Sequence, residues 1–168
     1  RMEGGRVVAV GRPEEVLAPR RAVASIDRFE AVSVLSGRIA AVDAAYEITR
    51  IAHPAGEIVV PGRLGPLGAT QRLTVRATDV TLARAPPTAT RVRTALAGRI
   101  EAVSVDGGPF ALVTLALEGG ERLHAYVTRL GLDALGVGIG DDVTALLKAV
   151  SIDERGLAGT EAPRETRP

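Results

Sequence analysis

The cationic side chains of this chain are nearly all guanidinium groups. Lys and Arg together number 21, and Lys148 is the only lysine. It lies in Leu147-Lys148-Ala149-Val150-Ser151-Ile152. An earlier stretch, Val75-Arg76-Ala77-Thr78-Asp79-Val80, has the same form, with a cation in the same slot. Arg offers a planar multi-donor fork and Lys a compact charge, so a recurring cation points to charge recognition. Other chemistries lack their residue sets. His53 and His124 have no companions at metal-ligand spacing and read as structural or surface groups. Two isolated histidines assemble no Ser/His/Asp triad. Asp141-Asp142 reads as a pair of solvated turn carboxylates, and Glu14-Glu15 as charge at a helix start. Gly136-Val137-Gly138-Ile139-Gly140 lacks the Lys and Ser of a phosphate loop and reads as a helix exit and turn. The stretch is therefore not expected to hydrolyse ATP.

The elements that position these cations are themselves repeated. Leu35-Ser36-Gly37-Arg38-Ile39-Ala40-Ala41-Val42 returns as Leu96-Ala97-Gly98-Arg99-Ile100-Glu101-Ala102-Val103, 61 residues later. Internal self-similarity at this period means two copies of one small module. Modules of about 60 residues bury little surface and are marginal alone, so pairing of the copies or dimerisation is expected.

Composition narrows the class. Hydrophobic residues make up 46% of the 168, aromatics only 2%, which demands an aliphatic, β-branched core suited to strands. The formal net charge of +1 provides no global field for nucleic acid or an anionic membrane. Absence of Cys removes disulfides, thiolate catalysis and thiolate zinc. No apolar run approaches a membrane span, and no signal peptide is apparent.

Strands are predicted at Gly37–Val42, Tyr46–Ile51, Glu57–Val60 and Gln71–Ala77 in the first copy. In the second they are predicted at Arg99–Val105, Phe110–Leu117, Arg122–Val127 and Val143–Ser151. Asp106-Gly107-Gly108 and Glu118-Gly119-Gly120 read as hairpin turns. Thr128 is the expected N-cap of a short helix from Arg129 to Leu135, closed by Gly136. Residues 1–28 read as a glycine-bounded strand, a Pro13 helix start and a connector. Residues 29–83 are the first module, 84–89 a stiff Pro86-Pro87 linker, 90–153 the second module, and 154–168 a disordered tail. The opening at Arg1, within a strand approach, reads as that of a fragment. Short strands with glycine turns give an all-β class with short helices, as tandem five-stranded barrels of the OB-like kind.

Residues 90–152 resemble the molybdate/tungstate-binding Mop module of the TOBE group. The matching pieces are Val92-Arg93-Thr94-Ala95-Leu96-Ala97-Gly98, Val127-Thr128 and the Lys148 phrase. The first copy looks like the other half of a double Mop domain. Gly5-Arg6-Val7-Val8-Ala9-Val10-Gly11-Arg12-Pro13-Glu14-Glu15-Val16-Leu17 resembles the end of an ABC transporter ATPase domain. The resemblance implies an oxyanion-binding region from the ATP-binding subunit of a molybdate importer, with ATP bound only in a missing domain.

It also implies a site. Arg93 and Lys148 match the family's cations. Thr128 offers a hydroxyl and the amides that follow it, and Ala149 a backbone N–H. Arg91 and Thr94 stand where the family has Ser and Asn, and Gly131 and Ala149 where it often has Ser, so three hydroxyl donors are lost and a cation gained. Arg76 and Thr78 mark a second candidate site. The ligand implied is molybdate or tungstate, with no metal-ion cofactor. The partners implied are a second copy of the chain and, through the ATPase domain, a membrane permease subunit at the cytoplasmic face of a bacterial membrane. Alternatives are a purely structural dimerisation module with a degenerate anion site, or an accessory domain of another importer for sugar, phosphate or polyamine. Nucleic-acid binding on an OB-like surface would need a basic groove and stacking aromatics, which four aromatic residues do not supply.

Overall fold

The computed structural model describes residues 31–88, 92–105 and 107–148, and the backbone of 2–3, 6–7 and 152–153. The Pro13 helix start, the 22–29 connector and the 154–168 tail lie outside the described residues, as do Arg91 and Ala149. Strands β1 (Met2–Glu3) and β2 (Arg6–Val7) form a small antiparallel pair.

The first copy contributes β3 (Val32–Asp43), β4 (Ile48–His53), β5 (Gly56–Pro61) and β6 (Thr70–Arg76). A 3-10 turn, Ala77–Asp79, leads to β7 (Val80–Ala83). The second contributes β8 (Thr94–Val105), β9 (Phe110–Leu117), β10 (Arg122–Thr128), helix α1 (Arg129–Leu135), β11 (Asp142–Leu147) and β12 (Ile152–Asp153). Each sheet curls into a five-stranded, OB-like barrel, so the fold is all-β with short helical pieces.

Strands follow from inward β-branched and aliphatic residues at alternate positions. In β4, Thr49, Ile51 and His53 are buried while Ala52 is exposed. The long strands β3 and β8 each serve two neighbours. Val32–Arg38 pairs with β6 and Arg38–Asp43 with β4. A register shift falls between Ile39 and Ala41, and the same shift recurs between Ile100 and Ala102. A bulge at that point bends and twists the strand, which lets one strand turn the corner of a small barrel. Just before it, Gly37 lets β4 come close. A Cβ there would lie 2.5 Å from Ile51 Cγ2 and 2.6 Å from the Ala52 carbonyl oxygen.

The sheets do not coincide with the repeats. The first sheet has the order β12-β6-β3-β4-β5, the second β10-β9-β8-β11-β7. Each copy thus gives its last strand to the sheet of the other. Val75 lies opposite Ile152, and Val80 opposite Leu147, five residues along on each crossing segment. The two crossings span equal numbers of residues. They fall on the two echoing phrases of the sequence. The predicted strand Val143–Ser151 ends instead at Leu147, because the chain leaves one sheet there and joins the other at Ile152.

Most buried aliphatics form one cluster that includes Leu35, Ile51, Leu73 and Val75 from the first copy and Leu96, Ile100, Leu115 and Leu147 from the second. Burying a side chain of this size is worth about 1.5–3 kcal/mol. A shared cluster explains how modules of marginal size gain enough of it.

Candidate functional site

The seam between the copies is pinned by reciprocal hydrogen bonds. Thr94 Oγ1 accepts from the Val59 backbone N–H at 2.9 Å, and Ser33 Oγ accepts from the His124 backbone N–H at 2.8 Å. Ser33 and Thr94 are equivalent in the repeat, and both are buried. The Ala97 N–H donates to the Ala55 carbonyl at 2.9 Å. Its equivalent, the Ser36 N–H, donates to the Glu121 carboxylate at 3.0 Å. Glu121 also lies 2.8 Å from His53 Nε2. His53 Nδ1 accepts from the Ala55 N–H, so Nε2 carries the proton and donates to Glu121. Both histidines are structural: His124 Nδ1 lies 3.2 Å from Thr114 Oγ1. Burial first, and then the charge of Arg122, lowers the His124 pKa and keeps the ring neutral.

The cations gather at the crossing. Thr94 pairs with Leu147, and Leu147 with Val80. One residue beyond these paired positions, Arg93 precedes β8, Lys148 follows β11 and Asp79 ends the turn before β7. Arg93 and Lys148 are exposed, and Asp79 is half-buried. Among the described residues none of the three makes a hydrogen bond or ion pair. By contrast, Arg99 pairs with Asp142, Arg122 with Glu101, and Arg84 donates to the Leu135 and Gly136 carbonyls at the end of α1. Arg76 is the equivalent of Lys148. It lies opposite Val32.

Strand β10 packs on the Ala77–Asp79 turn, with Tyr126 against Ala31, Ala77 and Leu112. Thr128 caps α1 as expected, its Oγ1 accepting from the Gly131 N–H at 3.0 Å. Gly136 ends the helix in the left-handed region at φ 62. The Arg129 N–H donates to the Pro109 carbonyl at 2.8 Å. Two amides after Thr128 are therefore engaged within the fold, and the Thr128 hydroxyl hydrogen remains as a donor. Thr94 is fully buried with its hydroxyl at the seam, facing away from the Arg93 row.

Arg76 and Thr78 thus lie on one crossing segment, Lys148 on the other and Arg93 just before β8, while β10, which ends at Thr128, packs on the Ala77–Asp79 turn. Sequence reasoning did not single out Asp79, although it lies inside the echoing phrase beside Val80. It also missed Glu121 and His53, which meet across 68 residues. Among the described residues no group of three or more His, Asp or Glu could hold a metal ion.

Residues 90–153 match the model of the TOBE domain. More particularly, the chain is 40% identical over 154 residues to the molybdenum import ATP-binding protein ModC of Rhodobacter capsulatus. That alignment covers 90% of this chain and 42% of the relative. It is 35% identical to ModC of Rhodopseudomonas palustris, covering 90% and 41%. For ModC of Mesorhizobium japonicum the identity is 34%, covering 96% and 43%. The chain therefore spans about two fifths of the length of these curated relatives, and it carries no phosphate-loop motif. A solved structure of the cytoplasmic molybdate-binding protein ModG shares the fold. Its TM-score is 0.63 at 24% identity, covering 71% of this chain and 92% of that one. Among the described residues no helix is long and apolar enough to cross a membrane.

Proposed function

We propose that this chain is an oxyanion-binding, regulatory and dimerising region of the ATP-binding subunit of a molybdate importer. The observation that carries the reading is the Arg93–Lys148 row within a chain 40% identical to a molybdenum import ATP-binding protein. The ligand is molybdate or tungstate. Arg93 and Lys148 supply charge and charge-assisted hydrogen bonds. Thr128 supplies a hydroxyl, and Arg91 and the Ala149 amide complete the donor set. Arg76 and Thr78 form the weaker second seat. Thr94 holds the seam that positions Arg93. ATP binds elsewhere in the full-length subunit. That subunit works at the cytoplasmic face of the membrane as a homodimer against a permease.

An anion held between subunits favours one of their relative arrangements, so it shifts the open–closed equilibrium of the ATPase pair. Calorimetric titration of this chain with molybdate, with sulfate as control and oligomeric state measured on the same sample, tests the binding. Sulfate-resistant binding supports the reading. Turnover of the full transporter unchanged at saturating molybdate removes the regulatory part.

The engaged Arg129 and Gly131 amides and the buried Thr94 favour a second reading, a structural dimerisation module with a decayed anion site. That module would form a stable dimer with no anion dependence and give no heat with millimolar molybdate.

A further inference from the structure

The strand exchange places a carboxylate of the first copy beside the cations of the second. Val80 and Thr94 are the two ladder partners of Leu147, and Asp79, Lys148 and Arg93 each lie one residue beyond these paired positions. Neighbouring strands lie about 4.8 Å apart, so a row of adjacent strand ends carries two positive charges and one negative. Asp79 is half-buried at the end of the Ala77–Asp79 turn, and no described residue hydrogen-bonds or ion-pairs with its carboxylate. An acid that served only to hold the turn would have its oxygens engaged there. The turn's own closing bond is instead backbone, from the Val80 N–H to the Ala77 carbonyl.

From this row we infer that Asp79 is an affinity-setting residue of the anion seat at Arg93 and Lys148. The first copy contributes it through the exchanged strand. It rests on the oxyanion reading given above. A dianion bridging Arg93 and Lys148 lies within about one Debye length of the Asp79 carboxylate. Its second negative charge doubles the repulsion, and Asp79 also competes with it for Lys148. The seat therefore binds more weakly than its two cations alone would allow. The pseudo-equivalent seat at Arg76 has Ser151 at the position matching Asp79, so this opposing charge belongs to one seat only.

The test is molybdate titration of wild type, Asp79→Asn and Asp79→Glu at low and high ionic strength, with thermal melting of each protein. Asn keeps the size of the side chain and removes its charge, and Glu keeps the charge. We expect Asp79→Asn to bind about fivefold tighter than wild type at low salt, from the Coulomb energy of a dianion at this separation in water. We expect the gap to shrink at high salt and Asp79→Glu to stay near wild type. Wild-type binding with an unchanged or weakened Asp79→Asn overturns the inference and leaves the oxyanion reading standing. No binding by any of the three proteins overturns both. A gain in Asp79→Asn that persists undiminished at high salt overturns the electrostatic role.

Discussion

The two copies share a backbone and differ in what they place on it. Both have the long bent strand, both bulge at the same point, and both give away their last strand. The seam bonds are nevertheless unlike. Where the second copy's Ala97 N–H finds a carbonyl, the first copy's Ser36 N–H finds the Glu121 carboxylate, which also holds His53. The crossing ends differ too: Arg76 is paired with Val32, whereas Arg93, the repeat equivalent of Val32, is a cation. The copies share a scaffold and differ in charge. What is common to both halves therefore reports on folding. What differs reports on binding.

The common part can be broken unequally. An added Cβ at Gly37 meets a backbone carbonyl, whereas at Gly98 the nearest atom is Leu117 Cδ2, at 2.9 Å. A side-chain end can move and a paired strand cannot. Gly37→Ala should cost about 3 kcal/mol and Gly98→Ala about 1, read as shifts in urea midpoint. Equal costs would mean that both strands yield alike.

The seam bonds give the next largest difference. Glu121→Ala leaves the His53 N–H and the Ser36 N–H without their acceptor and should cost about 2 kcal/mol. Thr94→Val orphans a single amide, that of Val59, and should cost about 1 kcal/mol. Chemical denaturation of both variants checks the ranking.

The cations sharpen the comparison at the site. Lys148→Ala should weaken molybdate binding about tenfold, as loss of one charge-assisted contact does. Arg76→Ala should weaken it by less. Calorimetry on both variants would reveal a reversal, which would move the principal seat to the first copy.

The smallest effect concerns pH. His124 has its pKa lowered in the folded protein by burial and then by Arg122, so the unfolded chain takes up its proton first. Stability should be full above about pH 6.5 and decline as pH falls below it, until the folded ring protonates too. His124→Gln should flatten that slope between pH 7.5 and 5.5 in paired denaturant titrations. An unchanged slope would assign it to other groups. The equivalent position, Val59, does not titrate, so this sensitivity belongs to the second copy's side of the seam.

Much of this was legible beforehand. Local signals are strong where the residue itself dictates geometry. Thr128 and Gly136 bounded α1 to the residue because a cap hydroxyl and a left-handed glycine are local devices. The turns at Gly107, Gly119 and Gly120 adopt positive φ for the same reason. The start of β3 at Val32, ahead of the expected Gly37, was not legible. Its first residues pair with β6, some 40 positions away, and alternation alone does not announce that partner.

The sequence by itself determined that there are two copies, that each is built of strands, and that a cation recurs at the end of each. Repetition, alternation and composition are properties of the chain read along its length. Tertiary structure alone decided which sheet each last strand joins. It also decided that Thr94 is buried at the seam, and that Leu147 pairs with both Thr94 and Val80. The physical reason is that a strand's partner is set by the burial it completes. Val80 and Leu147 complete the aliphatic core shared by both copies, and no residue near them in the sequence could tell them so.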